Sequence, residues 1–268
     1  MKKISLLLII ILIGKFSTGQ NNIYQCSYIY SHWKDSTNAS TKVIEYMNLD
    51  ITSTGYKYYS SQRQIGYQIT ENDKIVQTPL ENIMKNMDQY YVDAESEIIF
   101  FENKMNIYKL YDKLSSKSEY KSIDSLGVPK WQLKKDTITI LGQLCQKAVT
   151  YFRGRNYNAW FANKIPFNVG PYKFVGLPGL ILRISDDKGR FKFECTELNS
   201  KKIRDFKLYA NCKNVTYKKL KELKKLRIVK KKLFMDMEYA NVNVSINGAN
   251  TINTKRIDEP YNPIELSQ

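Results

Sequence analysis

The sequence of 268 residues contains a single histidine, His32. Serine and cysteine nucleophiles usually need a base beside them, and histidine serves as that base most often. Trp33 follows His32 in a stretch of β-forming residues, so we expect a packed structural side chain at a strand edge rather than a base. The sequence therefore identifies no catalytic residue.

Cysteine is also scarce, and none of the four cysteines lies in a CxxC spacing. Zinc sites are usually built from closely spaced Cys and His pairs, and His32 has no such spacing to any cysteine. We expect no metal and no cofactor. Free buried thiols and one or two disulfides both remain open, with three pairings available to the four cysteines. These are Cys26, Cys145, Cys195 and Cys212.

Long apolar runs are limited to residues 4–13, which follow Lys2 and Lys3 and precede small residues at 17–19. This order is typical of a secretory signal, and the run is too short to span a bilayer well. We expect a signal peptide over residues 1–19, a domain over 20–240 and a polar, partly disordered tail over 241–268. Gln25 precedes Cys26, which disfavours lipidation. The expected location is the periplasm or the outer membrane surface, in soluble form after cleavage.

Acidic residues are outnumbered, and the formal net charge is +16. Residues 201–232 carry fourteen Lys and Arg against only Asp205 and Glu222, so the positive charge is concentrated there. Such a basic face favours an anionic membrane surface, an outer-membrane protein or an acidic ligand. Nucleic acid is not an expected partner of an exported protein.

Alternating residues predict a mainly β fold with some α. Phe191, Phe193 and Cys195 alternate with polar residues, and a turn at residues 187–189 would join this strand to the one before it. A long amphipathic helix is predicted from Thr216 to Glu238. We expect a curled antiparallel sheet, in half-barrel form, with this helix on its C-terminal side and an apolar concavity resembling that of periplasmic lipid carriers.

Weaker patterns give four further local predictions. Residues 79–87 have the spacing of a short helix, and a hairpin is expected around Asn103 and Lys104. The polar residues 112–121 favour a loop or an edge strand. Residues 131–134 and 137–141 are predicted as two strands.

Residues 157–184 concentrate three of the seven prolines and three of the twelve glycines in an aromatic and aliphatic context. Because proline fixes φ and glycine permits positive φ, these residues predict successive bends along a defined path. We expect the turn at residues 176–179 to place Leu180, Leu182 and Ile184 in the core. A structural or partner-binding role is assigned to Trp160, Pro166, Gly170, Pro171, Gly176, Leu177, Pro178, Gly179 and Leu180.

The heptapeptide Gly-Leu-Pro-Gly-Leu-Ile-Leu at residues 176–182 resembles the signature of the GLPGLI family of secreted Bacteroidota proteins. The flanking bends, residues 145–148 and residues 261–266 also look like that family, so the resemblance covers most of the chain after the signal. It implies export and a β-rich architecture. It implies no particular biochemical activity.

Three functions follow as hypotheses. The first is a non-enzymatic envelope protein that binds a ligand or a partner. The second is a hydrolase that uses carboxylate or Tyr/Lys chemistry, although the adjacent Asp186 and Asp187 are better interpreted as part of a hairpin turn. The third is a purely structural or assembly role. Contacts to an anionic surface are assigned to Lys221, Lys224, Lys225, Lys231 and Lys232.

Overall fold

The computed structural model describes residues 22–62, 97–114, 118–202, 211–230, 234 and 262–266. Twelve strands join in one sheet in the order β12-β6-β5-β4-β3-β2-β1-β11-β10-β9-β8-β7. The first six strands are β1 Asn22–Trp33, β2 Lys42–Ile51, β3 Gly55–Ser60, β4 Ile98–Glu102, β5 Ile107–Lys113 and β6 Glu119–Asp124. The others are β7 Gln132–Ile140, β8 Gln143–Phe152, β9 Arg155–Ala162, β10 Leu180–Asp186, β11 Phe191–Lys202 and β12 Lys213–Asn214.

The sheet is curled and open, which confirms the predicted fold class. Its pairings are antiparallel except for β12 beside β6. Strand β1 lies in the middle, between β2 and β11, and joins the N-terminal meander to the C-terminal one. The pairing of β11 with β1 fixes the overall topology because it connects segments far apart in sequence.

Alternation decides which face of each strand is buried. On β11, Phe191, Phe193 and Cys195 are buried as predicted, and the hairpin before them closes with Gly189 N donating to Asp186 O at 3.1 Å. Cys26 on the neighbouring strand β1 is also buried. The pKa of the Cys26 thiol is raised by a hydrogen bond with the Cys195 thiol and by burial, and all four cysteines are free thiols.

The concave face of the sheet is filled by the chain itself, contrary to the expected apolar concavity. Three tyrosines from separate strands donate to main-chain carbonyls of residues 172–181, at 2.6–2.9 Å: Tyr28 on β1, Tyr56 on β3 and Tyr108 on β5. Phe174 is fully buried at the centre of this segment and packs against Phe152, Tyr157 and Phe193. Strands that are distant in the sheet therefore curl around one internal segment.

The turn at residues 176–179 feeds β10 into the core, as predicted. Leu180, Leu182 and Ile184 are at most 1% exposed. Gly179 lies against the end of strand β9, where an added Cβ would be 2.3 Å from the carbonyl oxygen of Ala162. Glycine is required here by this close approach of two backbone segments.

The α-helix α1 spans Tyr217–Val229 and packs against β6. The Thr216 side chain caps it by accepting from Lys219 N, so the predicted start is confirmed. Leu220 and Leu223 form its buried contact, and Lys219 is exposed. Of residues 230–238, only 230 and 234 are described.

The remaining local predictions have mixed outcomes. The hairpin around Asn103 joins β4 to β5, as predicted. Residues 112–121 were expected to be a loop or edge strand, but they contribute to both β5 and β6. The two strands predicted over residues 131–141 form the single strand β7, whose register with β8 shifts between Leu133 and Thr137. The helix predicted at residues 79–87 and the signal peptide lie outside the described residues.

Candidate functional site

Four charged side chains meet inside the molecule, and we call them the central ion cluster: Asp124, Arg153, Lys173 and Glu265. Asp124 ends β6, Arg153 lies in the turn between β8 and β9, and Lys173 belongs to the internal segment. Glu265 comes from the C-terminal segment, residues 262–266. Their side chains are at most 5% exposed, so the cluster is shielded from solvent.

The geometry pairs each cation with both carboxylates. Arg153 donates to the two Asp124 oxygens at 2.5 and 3.1 Å, and to Glu265 Oε1 at 2.7 Å. Lys173 Nζ lies 2.9 Å from Asp124 Oδ2 and 2.9 Å from Glu265 Oε1. Two positive and two negative charges therefore balance within the cluster. Such pairing is needed because a buried charge without a counterion is strongly destabilising.

Hydroxyl groups complete the surroundings of Glu265. Tyr172 OH donates to its Oε1 at 2.6 Å, and Tyr217 OH donates to its Oε2. Lys173 Nζ donates to Tyr217 OH at 2.8 Å, and Lys221 Nζ lies 3.9 Å from Glu265 Oε2. Because Tyr217 begins α1, the helix is tied to the cluster through its first residue.

Two residues of the site have left-handed backbone conformations without being glycine. Arg153 has φ 48° and Tyr172 has φ 56°. Such conformations cost about 1 kcal/mol or more for residues with a Cβ. The turn before β9 and the bend after Pro171 hold them there, and this places both donors toward Glu265.

Electrostatics keeps both carboxylates ionised. Burial alone would raise the pKa of Glu265, but Lys173 and Arg153 outweigh it and hold the pKa well below its usual 4.5. The pKa of Asp124 is lowered for the same reasons. Burial and the neighbouring carboxylate raise the pKa of Tyr217, so its hydroxyl keeps its proton and donates.

The rest of the C-terminal segment is held through its main chain. Arg155 donates to the carbonyl oxygens of Pro263 at 2.7 Å and Ile264 at 3.1 Å. Tyr157 OH also donates to Ile264 O at 3.1 Å. Leu266 N donates to Arg153 O at 2.9 Å.

Asn262 anchors the start of this segment. Its side-chain oxygen accepts from Arg155 at 2.8 Å, and its Nδ2 donates to Trp33 O at 2.9 Å. The whole segment thus lies against the end of β1, the β8–β9 turn and β9. Chemically, the site binds one carboxylate together with the main chain on both sides of it.

The signature residues lie within or beside the internal segment, residues 172–181, instead of forming a separate site. Gly170 is packed against Ile181, and Trp131 Nε1 donates to Val175 O at 2.7 Å beside Gly176. Leu177 is buried. Pro166, Pro178 and Gly176 are exposed, Pro171, Gly179 and Leu180 are buried, and Trp160 is half-buried with the Lys147 ammonium 5.7 Å from its ring. Their described contacts are those of a structural element.

Three of the five predicted surface lysines are described, and they differ in environment. Lys224 Nζ lies 3.2 Å from Asp112 and 3.4 Å from Glu97, and Lys221 faces Glu265, so both turn toward internal acids. Lys225 is exposed. Lys231 and Lys232 lie outside the described residues.

Other candidate chemical groups have structural partners. His32 stacks on Tyr30 at 4.7 Å, and its Nδ1 lies 3.9 Å from Glu45. Asp186 accepts from Phe191 N at 2.9 Å, which supports the interpretation of this region as a hairpin turn. In the described part of the chain, no three His, Cys, Asp or Glu side chains form a group that could hold a metal. Within the same ranges, no helix is both long and apolar enough to cross a membrane.

Sequence reasoning missed the central ion cluster. The available signal was Lys173, a charged residue in the middle of an aromatic and aliphatic stretch. Lysine is almost never fully buried without a partner, so its position in the internal segment implies buried acids nearby. Which acids those are depends on the fold.

Residues 59–227 match the family model described as the N-glycanase peptide, N-terminal domain, of PNGase F-II. The chain belongs to this family. The matched range contains Asp124, Arg153 and Lys173 of the central ion cluster and ends before Glu265.

Solved structures support the observed fold. Two crystal forms of PNGF-II match with TM-scores of 0.53 and 0.51, at 17% and 16% identity. Each match covers 75% of this chain and 32% of the other, so the chain spans about a third of the PNGF-II length. No curated protein matches the chain significantly.

Proposed function

We propose that this PNGase F-II-type N-terminal domain is a non-enzymatic, exported envelope protein of the GLPGLI type that binds a ligand or a partner protein. The observation that carries the proposal is the hold on Glu265, whose carboxylate is bound by Arg153, Lys173, Tyr172 and Tyr217. Convergent cations and hydroxyls around one carboxylate are the chemistry of acidic-ligand recognition. The basic composition and the secretory pattern of residues 1–19 support an acidic partner in the envelope.

The electrostatics favours binding over acid–base catalysis. A general acid needs a pKa near the working pH, whereas the pKa values of Asp124 and Glu265 are both held below their usual values. The same carboxylates are fully engaged with Arg153 and Lys173. These groups are therefore suited to holding a charge in place.

Glycan release is the second candidate, because the matching family model and solved structures are named for an N-glycanase. This candidate corresponds to the hydrolase expected as an alternative from the sequence. The match covers 32% of PNGF-II, so the activity of PNGF-II applies to this chain only as a hypothesis.

The test is native mass spectrometry of the full chain purified from its own envelope, with a glycan-release assay on a denatured N-glycoprotein in parallel. We expect a co-purified acidic peptide, lipid or membrane protein and no released glycan. Release of N-glycan at a rate proportional to protein concentration would overturn the proposal. Recovery of the chain without any bound molecule at low salt would favour the structural or assembly role instead.

A further inference from the structure

We propose that the residues around Glu265 form a peptide-binding site for a segment with an internal glutamate, which residues 262–266 occupy in cis. This inference rests on the proposed binding function and specifies its ligand. Its strongest support is that the described contacts to residues 262–266 are largely of a kind that a separate peptide could make.

The main chain of the bound segment is contacted at three positions, residues 263, 264 and 266. Arg155 donates to Pro263 O and Ile264 O, and the main chain of Arg153 accepts from Leu266 N. Tyr157 adds a second donor to Ile264 O. Main-chain contacts of this kind give affinity for any extended segment, and the side chains then set its sequence.

Charge requires an anion at the glutamate position. Without Glu265, the buried Arg153 and Lys173 would face Asp124 alone, with Lys221 nearby as a third cation. A buried cation without its counterion is strongly unfavourable. The receptor therefore selects a carboxylate, whether the carboxylate comes from this chain or from another.

The receptor is held in place by parts of the fold that do not involve the C-terminal segment. Tyr108 OH donates to Lys173 O, and Tyr56 OH donates to Tyr172 O. These bonds fix the main chain of Tyr172 and Lys173, whose side chains donate to Glu265. Arg153 is fixed by its two bonds to Asp124. A receptor with its donors already oriented loses little conformational freedom on binding.

Two further positions define specificity. The Asn262 side chain contacts both Arg155 and Trp33 O, so asparagine is favoured there. The following proline has no N–H that needs a partner, and its carbonyl oxygen accepts from Arg155. Leu266 is 58% exposed and contributes little. The ligand class is thus a peptide containing Asn-Pro, an aliphatic residue and Glu.

Occupancy in cis predicts competition. A tethered segment acts at an effective concentration of about millimolar, so an external peptide should bind the unchanged chain only weakly. Weakening the tethered segment exposes the receptor. The full chain carrying Asn262→Ala and Glu265→Ala together is therefore the receptor variant.

The experiment measures binding of a fluorescein-labelled peptide with the sequence of residues 261–268 to this full-length variant, by fluorescence anisotropy. The matched control peptide has Gln at the position of Glu265. We expect the Glu peptide to bind at least tenfold more tightly than the Gln peptide, to raise the Tm of the variant, and to bind the unchanged chain at least tenfold more weakly. Equal affinity for the two peptides would overturn the proposal.

A second receptor variant tests the contact to the carboxylate directly. Adding Tyr172→Phe keeps the ring and removes one donor to the carboxylate, so it should weaken binding of the Glu peptide and leave the Gln peptide unchanged. If the variant is unfolded alone, the Glu peptide should restore its circular dichroism spectrum, and failure to do so would contradict the proposal.

The outcome is separable from that of the proposed function. Co-purification of a partner from the envelope tests binding by the protein as a whole. A partner recovered in equal yield by the unchanged chain and by the Tyr172→Phe chain, together with no peptide binding, would leave the binding function standing and remove this site from it.

Discussion

Glu265 Oε1 accepts a hydrogen bond of 2.7 Å from Arg153 Nη1, although 112 residues separate the two in the chain. Both side chains are at most 5% exposed. The bond connects the C-terminal segment to the turn between β8 and β9, and Lys173 joins it from the internal segment at 2.9 Å. Three distant parts of the chain are therefore held by one buried charge.

Replacing Glu265 with Gln should destabilise the protein strongly. The change keeps the shape of the side chain and removes its charge, which leaves Arg153 and Lys173 with Asp124 alone. Breaking a buried ion pair by removing one partner costs about 3–5 kcal/mol. Urea unfolding measures this loss. The matched control is Glu222→Gln, an exposed helix residue paired with Lys219, which should change the free energy of unfolding by about 0.5 kcal/mol or less. Equal effects of the two changes would contradict the role of the central ion cluster.

Acid should weaken the protein through Asp124 and Glu265. Both pKa values are lower in the folded chain than the usual 3.8 and 4.5, so the folded state binds fewer protons than the unfolded state at acidic pH. Their contribution to stability is therefore complete above the usual values and is lost as the pH falls toward the folded values. The difference in unfolding free energy between the unchanged chain and Glu265→Gln should shrink as the pH falls from about 5 toward 2. A difference that stays constant from neutral to acid pH would disprove this linkage.

The two glycines of the turn at residues 176–179 should respond differently to substitution. Gly179→Val places a Cβ 2.3 Å from Ala162 O, a backbone atom that cannot move aside easily, and should cost about 3 kcal/mol. Gly176 has φ 94°, and an added Cβ would make only ordinary contact with Trp131 at 3.8 Å, so Gly176→Ala should cost about 1 kcal/mol through backbone conformation. Thermal and urea unfolding of both variants gives the comparison. An unchanged Tm for Gly179→Val, or a larger effect at Gly176, would contradict the close approach seen here.

The lysines of α1 should separate surface binding from internal pairing. Changing the exposed Lys218, Lys219 and Lys225 to Gln should reduce co-sedimentation with anionic vesicles at low salt, since each lysine near an anionic surface contributes about 1 kcal/mol. Changing Lys221 and Lys224 to Gln should instead lower the Tm, because Lys224 lies 3.2 Å from Asp112. Neutral vesicles and high salt serve as controls. Equal recovery of the first variant and the unchanged chain would disprove docking through this helix.

Local patterns in the sequence were sufficient for much of the fold. The alternation of Phe191, Phe193 and Cys195 gave a strand with one buried face, and Thr216 gave the start of α1. These features were predictable because side-chain direction in a strand and capping of a helix depend on residues only a few positions apart. The glycines at 176 and 179 gave the turn into β10 for the same reason.

The tertiary structure alone decided what fills the sheet and where the charges meet. The tyrosines that donate to the internal segment come from β1, β3 and β5, on the other side of the sheet from β8 and β9, so the expected apolar concavity is occupied by the chain's own internal segment. Lys224 turns inward because Asp112 on β5 is placed beside α1 by the packing of the helix. The partners of Lys173 likewise come from β6 and from residue 265. Periodicity reports which face of an element is apolar, but long-range pairing determines which elements share a face, and a buried charge finds its counterion only through that pairing.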